Sequence, residues 1–300
     1  MSRNGFLRVF ALIAFTAVVV VLTLQMRPHV VNYITTGPGS YFDSRGQDMQ
    51  EFGSGPLAFV RKNGYVNTLV GLNLDNLTLD ELVLTIHSYP DNIETICERK
   101  VRMGKIGDGG WEICDDPDVR PTAPCIIYSY GIHYDFSFDD DAAKVYGCHV
   151  YSFDPSMDKM ADQVNRSDFV HFYKVGLSGQ TQVLPKHNWK LYTHGDLRKM
   201  IGHQDQTIDV IKMDIEAHEW NAIPEMAATG QLTQVKQFLV EFHVSQLTRE
   251  YLVPKLKAMQ DLELAGFKRF YSHKNYACGG TIPGFPTTRT RCYELHYIRR

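Results

Sequence analysis

Four residues of chemically useful types stand directly behind short apolar runs. They are Gly131 after Ile126 to Tyr130, Asp154 after His149 to Phe153, Asp214 after Ile208 to Met213, and Glu241 after Val235 to Val240. If those runs are strands of an open α/β sheet, the four residues lie outside the carboxyl ends of the strands, where such sheets bind ligands. A glycine there allows a sharp turn and a close approach of ligand to main chain. An acid about 23 residues later, at the next strand end, is placed to accept from both hydroxyls of a ribose. Gly131 and Asp154 together point to an adenosine-containing cofactor. The competing reading is a turn glycine and a helix-capping aspartate, since Asp154-Pro155-Ser156 is also a good capping sequence.

The residues after Gly131 narrow the cofactor. They read Ile132-His133-Tyr134-Asp135 and not GxGxxG. A bulky, acid-bearing turn suits no pyrophosphate, which needs bare amides at a helix N-terminus. It suits a cofactor with a sulfonium and an amino-acid tail, whose ammonium Asp135 can meet.

The densest polar cluster is Asp214-Ile215-Glu216-Ala217-His218-Glu219-Trp220, at the end of the fourth strand. His218 is the candidate general base, because imidazole titrates near neutral pH. A solvated loop leading into a capped helix is the alternative. Glu241-Phe242-His243 ends the fifth strand in the same manner, and His243 is either catalytic or structural. Asp214 with Glu241 offers a second route to catalysis, by holding a divalent cation, although no residue is assigned as a metal ligand. The stretch MGKIGDGGWEICDDP, residues 103 to 117, reads as a loop over the site. Asp108 and Trp111 lie in it, and with Glu216 and His243 they make up the expected substrate and lid residues. Trp111 either stacks on a sugar or adenine, or anchors the core.

These residues need elements to position them. Strand and helix signals alternate: strands over the four runs above, over Val170 to Val175, Phe267 to Tyr271 and Cys292 to Ile298. Helices are expected over Phe138 to Tyr146, Asp158 to Asn165, Leu191 to Ile201, Trp220 to Thr229 and Leu247 to Ala265. Alternation predicts a doubly wound, mostly parallel sheet of seven strands. The last two strands are joined without a helix and should pair antiparallel. Ahead of the domain, Thr78 with Glu81 forms a capping-box pattern opening a helix with Leu79, Leu82, Val83 and Ile86 on one face. Asp91 would cap a second helix through Cys97.

The chain has 300 residues, 44% hydrophobic and 22% charged, with a net charge of -3, so it can bury a full core and has no global attraction for nucleic acid. Val9 to Met26 carries no charge, and as a helix it would span roughly 27 Å. Arg3 and Arg8 precede it, while Asp43, Asp48 and Glu51 appear beyond it, which predicts a cytosolic N-terminus and a lumenal bulk. LQMRP is a poor cleavage site, so an uncleaved signal anchor is expected; cleavage would give secretion. The expected layout is a cytosolic tail at 1–8, a transmembrane helix at 9–26, a stem at 27–57, accessory helices at 58–104 and the main domain at 105–300. The cysteines are Cys97, Cys114, Cys125, Cys148, Cys278 and Cys292, with no CxxC pair. An even count behind an anchor suggests disulfides. Cys278 with Cys292, Cys125 with Cys148 and Cys97 with Cys114 is one of fifteen pairings. Asn76 and Asn165 begin glycosylation sequons.

Four runs carry a resemblance: GDGGWEICDDP (107–117), YSYGIHYDFSFDD (128–140), YGCHVYSFDPSM (146–157) and IDVIKMDIEAHEW (208–220). Together they resemble the methyltransferase-like type II membrane family, related to the FkbM methyltransferases, over roughly residues 80–300. The last run is similar to the FkbM pattern Lys-x-Asp-x-Glu-Gly. The resemblance implies a Rossmann-like fold with an antiparallel seventh strand and S-adenosylmethionine as methyl donor. By position it makes Gly131 the cofactor-loop glycine, Asp154 the ribose acid and Asp214 the acid near the reacting centre. Ser129 stands where many methyltransferases have an acid, Asp135 where many have glycine, and Ala217 in place of the FkbM glycine. The resulting expectation is O-methylation, of a glycan or small molecule, in the Golgi or ER lumen. One alternative is a Golgi glycosyltransferase using Asp139-Asp140-Asp141 as its metal motif, although those acids also suit the start of a helix. The other is a catalytically inactive lumenal protein that keeps the fold.

Overall fold

The computed structural model describes residues 68–300 except 284, 286 and 287. The expected cytosolic tail, transmembrane helix and stem, and residues 58–67, lie outside the described residues. Among the described residues no helix is long and apolar enough to cross a membrane.

Strands β1 (Lys100–Met103) and β2 (Trp111–Cys114) form an antiparallel hairpin. The main sheet is built from β3 (Ile126–Tyr130), β4 (His149–Phe153), β5 (Gln163–Asn165), β6 (Val170–Tyr173), β10 (Ile208–Met213), β11 (Val235–His243), β12 (Phe267–Lys274) and β15 (Cys292–Arg299). Strands β7 (Gly176–Leu177), β8 (Gln182–Leu184) and β9 (Trp189–Tyr192) make a small separate sheet, and β13 (Gly279–Gly280) pairs with β14 (Arg289–Thr290). The helices are α1 (Leu79–Ser88), α2 (Ser137–Tyr146), α3 (His194–Ile201), α4 (Glu219–Ala228) and α5 (Arg249–Leu264).

The main sheet has the order β12-β15-β11-β10-β3-β4-β6-β5. Strands β11, β10, β3, β4 and β6 run parallel. Strand β15 is antiparallel to both neighbours, β11 and β12, and the pairing with β12 is the one expected from a connection without an α-helix. The predicted seven strands are present, and β5 adds an antiparallel eighth at the edge. Strand β10 is buried at every position, as expected of a central strand covered on both faces. One core layer packs Leu82, Trp220, Ile223, Leu252 and Leu256 on one side of the sheet. The other packs Met103, Trp111, Phe138 and Ala142 with two disulfides. Helices on both faces make the sheet doubly wound.

Helix α1 begins with the predicted capping box: Thr78 N–H donates to Glu81 Oε2 at 2.8 Å, and Glu81 N–H to Thr78 Oγ1 at 3.3 Å. Leu82, Val83 and Ile86 are buried, but Leu79 is 44% exposed and lies off that face. The second accessory helix does not form. A 3-10 turn at Tyr89–Asp91 is followed by extended chain, whose Glu94 and Thr95 amides donate to Arg269 O. The expected helix at Asp158 to Asn165 is a loop followed by β5. Met160 and Val164 are its only large apolar residues, too few for a buried helical stripe. Helix α3 starts later than expected, at His194, where Thr193 Oγ1 accepts from Asp196 N–H; Leu191 belongs to β9. The glycine stretch turns through Gly104 to Gly110, but Trp111 already opens β2. All three expected disulfides form, Cys97–Cys114, Cys125–Cys148 and Cys278–Cys292, and no described cysteine is free.

Candidate functional site

At the carboxyl ends of β3, β4 and β10 lies a cavity of about 450 Å³. That volume is in the range that encloses a drug-sized ligand. Among its lining residues are Gly131, Asp135, Asp154, Leu177, Asp214 and His218.

Gly131 has φ 78° and is packed against β10: a Cβ built on it would lie 1.6 Å from Asp214 O. Only glycine combines that dihedral with that approach. Lys212, one residue inside the end of β10, is buried and turns back to donate to Tyr130 O at 3.2 Å and also to Gly131 O. Its ammonium lies 5.4 Å from the Trp111 ring centroid. The tips of β3 and β10 are thus joined by a close backbone contact and a cation.

Asp154 is 4% exposed and faces the turn after Gly131. Its Oδ2 accepts from the amides of Ile132 at 2.9 Å and His133 at 2.8 Å. Its Oδ1 accepts from Ser156 N–H at 2.7 Å and Ser156 Oγ–H at 2.6 Å. Sequence reading weighed a ribose acid against a capping aspartate; the carboxylate in fact clamps the turn opposite, while still lining the cavity. The clamp matters because His133 and Tyr134 have φ of 42° and 65°, a conformation that costs a non-glycine residue about 1–2 kcal/mol.

Asp135 receives Lys105 Nζ at 2.8 Å and Ser137 N–H at 3.1 Å. Burial acts to raise its pKa, but the hydrogen bonds from Lys105 and Ser137 prevail and hold it below the ordinary carboxylate value. The glycine loop is shaped by Arg102, whose guanidinium donates to Lys105 O and Gly107 O, each at 2.7 Å, and to Glu112 at 2.6 Å. Loop residues Lys105, Asp108 and Gly109 line the cavity. Trp111 does not: it is buried, stacks on His296 at 5.4 Å and serves as a core anchor. Phe153, Pro155, Leu177 and Leu191 add apolar wall.

On the β10–β11 side, Asp214, Glu216 and His218 line the cavity, whereas Glu241 and His243 stand one strand further along the sheet. His218 is partly buried and its Nδ1 has no hydrogen-bond partner. His243 is fixed by Glu219, which is fully buried: His243 N–H lies 2.9 Å and its Nδ1 3.1 Å from Glu219 Oε1. His243 Nε2 faces Glu216 at 3.6 Å and Asp214 at 3.8 Å. Burial acts to lower the His243 pKa, but the Glu219 hydrogen bond and the neighbouring carboxylates raise it to about 9. Glu241 is pushed up to about 8 by burial and by the Asp214 charge. Glu216 and Ala217 have φ of 52° and 74°, so the FkbM-like glycine position is a left-handed one that alanine occupies here.

The three consecutive acids diverge. Asp139 is buried and accepts from Ser152 Oγ at 2.5 Å, Asp140 pairs with Arg166 at 2.7 Å, and Asp141 accepts from Gly104 N–H at 2.9 Å. They offer no common metal position. Sequence reading missed Lys105, Lys212 and Glu219 as site residues. Glu219 stands in the polar cluster just ahead of the helix expected from Trp220. Only the return of β11 beside α4 shows its partner.

A family model described as a methyltransferase domain matches residues 84–298. A rat protein named probable methyltransferase-like protein 24 is 24% identical over 220 residues, covering 66% of this chain and 59% of its own length. The human protein of that name is 23% identical over 182 residues, covering 55% of this chain and 48% of its own length. The chain thus spans about half to three fifths of these relatives. The methyltransferase FkbM of Methylobacillus flagellatus aligns with 79% of this chain and 60% of its own, with 14% identity and a TM-score of 0.40.

Proposed function

The chain belongs to this methyltransferase-domain family, and from that premise we propose that it moves a methyl group from S-adenosylmethionine to a hydroxyl oxygen of a glycan or small-molecule acceptor, in the lumen of the secretory pathway. The observation that carries the reading is the cavity at the tips of β3, β4 and β10, lined by both charged and apolar side chains.

The residues fit an adenosyl donor. Leu177, Leu191 and Pro155 offer an apolar slot for a base. The Gly131 turn brings bare backbone to the wall. Asp135 and Asp214 suit an ammonium, and Lys105 a carboxylate. Ser156 Oγ is the donor that a ribose hydroxyl would displace from Asp154 Oδ1. When bound, S-adenosylmethionine supplies a methyl group on a sulfonium sulfur.

The remaining work falls to the protein. The clamped turn and the Lys212 brace fix the donor wall before binding, which lowers the cost of orientation. His218 is the base that takes the acceptor proton: its side chain lines the cavity. His243, held charged by Glu219, is unsuited to accept a proton; it balances the charges of Asp214 and Glu216.

A lumenal location is supported by three disulfides and by the exposure of Asn76 and Asn165. Anchoring through Val9 to Met26 is the accompanying proposal. The test is transfer of labelled methyl to a glycan and small-molecule panel by the full chain. Label in a hydroxyl-bearing product, lost with His218→Ala, is expected. Transfer only to nitrogen or carbon acceptors would refute the oxygen assignment.

A further inference from the structure

We propose that Asp108, Glu241 and Glu294 form a binding site for a hard divalent cation beside the donor cavity. Each offers a carboxylate oxygen, and these oxygens lie within 4.8 Å of one another. They come from three separate places in the chain: the glycine loop, the end of β11 and the antiparallel strand β15. Convergence from such distances is a property of the fold and not of a local acidic run.

Glu241 and Glu294 are 3% and 1% exposed. Adjacent buried carboxylates are expensive unless a cation or hydrogen bonds compensate them. Compensation from the protein is partial, and for Glu241 it includes the nearby charge of His243. Glu241 Oε1 accepts from Asn275 Nδ2 at 3.2 Å. Glu294 Oε2 is buried, with His273 Nδ1 3.1 Å away as its nearest recorded partner. The guanidinium of Arg102 is engaged by Glu112 and the loop carbonyls. Three carboxylate oxygens that converge from separate segments, two of them on buried side chains, make an oxygen acceptor set suited to a positive centre.

The donor set is oxygen only. That favours magnesium, manganese or calcium over zinc, whose sites use imidazole and thiolate. The neighbouring group Asp214, Glu216 and His243 is less suited, because His243 is already held by Glu219 and the Glu216 side chain is 87% exposed. Asp108 belongs to both the cation cluster and the cavity lining, so the ion would border the donor site. There it would polarise a hydroxyl presented for methylation. This role rests on the methyl-transfer reading; the binding of the ion does not.

The test uses the full chain, freed of metal with a chelator and titrated with Mn²⁺ by calorimetry and electron paramagnetic resonance. One Mn²⁺ per chain is expected, displaced by excess Mg²⁺ or Ca²⁺. The double variant Glu241→Gln with Glu294→Gln should weaken binding about tenfold or more while keeping a cooperative unfolding transition. Should it not fold, Asp108→Asn on the exposed loop must still weaken binding. Failure of the wild type to bind, or equal binding by these variants, overturns the site. S-adenosylhomocysteine binding is measured separately without metal. Its absence beside intact Mn²⁺ binding supports the cation site and counts against the methyl-transfer reading.

Discussion

Gly131 and Asp214 touch through their backbones: the position of a Cβ on Gly131 coincides with the Asp214 carbonyl, 1.6 Å away. The turn that opens the cavity and the acid that borders it are thereby one structural unit. Gly131→Ala should cost about 3 kcal/mol, because a positive-φ strain adds to an overlap that only parting β3 from β10 relieves. Gly107→Ala, in the glycine loop and with nothing within 4 Å of its added methyl, should stay within about 0.5 kcal/mol. Thermal and urea unfolding of the two variants measure this difference. Equal stabilities would remove the packing argument.

At Ala217 the expected change is a gain. An alanine at φ 74° pays about 1 kcal/mol that glycine does not, and glycine returns part of this through its freer unfolded chain. Ala217→Gly should raise stability by about 0.5 kcal/mol, read as a small upward shift in Tm. A lower Tm would mean that the alanine methyl packs usefully in the loop.

Glu219 acts through His243, as a positioning residue. Glu219→Gln removes the carboxylate that keeps His243 charged, so the alkaline limb of the kcat profile should move to lower pH while S-adenosylhomocysteine affinity changes less than about threefold. A uniform loss of kcat with an unmoved profile would assign Glu219 to folding alone.

Acid sensitivity should come from buried histidines. Burial lowers His194 to about 3 and, with Arg289 and Arg291 nearby, His87 to about 4. Both are depressed below their unfolded value, so the stability they contribute is present above pH 6.5 and is lost as pH falls toward 4. The slope from each group is on the order of 1 kcal/mol per pH unit in that window. His194→Asn keeps a polar partner for Tyr130 OH, which lies 2.8 Å from His194 Nδ1. The variant should start less stable at pH 7.5 but decline less between pH 6.5 and 4. An unchanged decline would place the acid sensitivity elsewhere.

The strand ends were legible because each acid or glycine directly follows a run of apolar residues, and that punctuation survives folding. The antiparallel β15 followed from a connection that carries no helix signal. Of the disulfides, only Cys125–Cys148 rested on strand adjacency; the full set was one of fifteen pairings. What the sequence hid was contact between distant segments. Asp154 was visible as a strand-end acid, but that its oxygens would clamp Ile132 and His133 depends on how far the Gly131 turn leans over β4. Glu294 sits mid-strand among buried neighbours and carries no local signal; only the side-by-side placement of β15 and β11 brings it to Glu241. Asp158 to Asn165 misled because helix-compatible polarity without an apolar stripe also describes a loop and an edge strand.

The account depends on the β3 and β4 tips holding an adenosyl group. Calorimetric titration of the full chain with S-adenosylhomocysteine, beside Asp154→Ala and Gly107→Ala, tests it most directly. The prediction is saturable binding by the wild type and Gly107→Ala, with Asp154→Ala weakened about a hundredfold as the turn loses its clamp, equivalent to about 2.7 kcal/mol. No heat of binding from the wild type, or the same affinity in all three proteins, would contradict it.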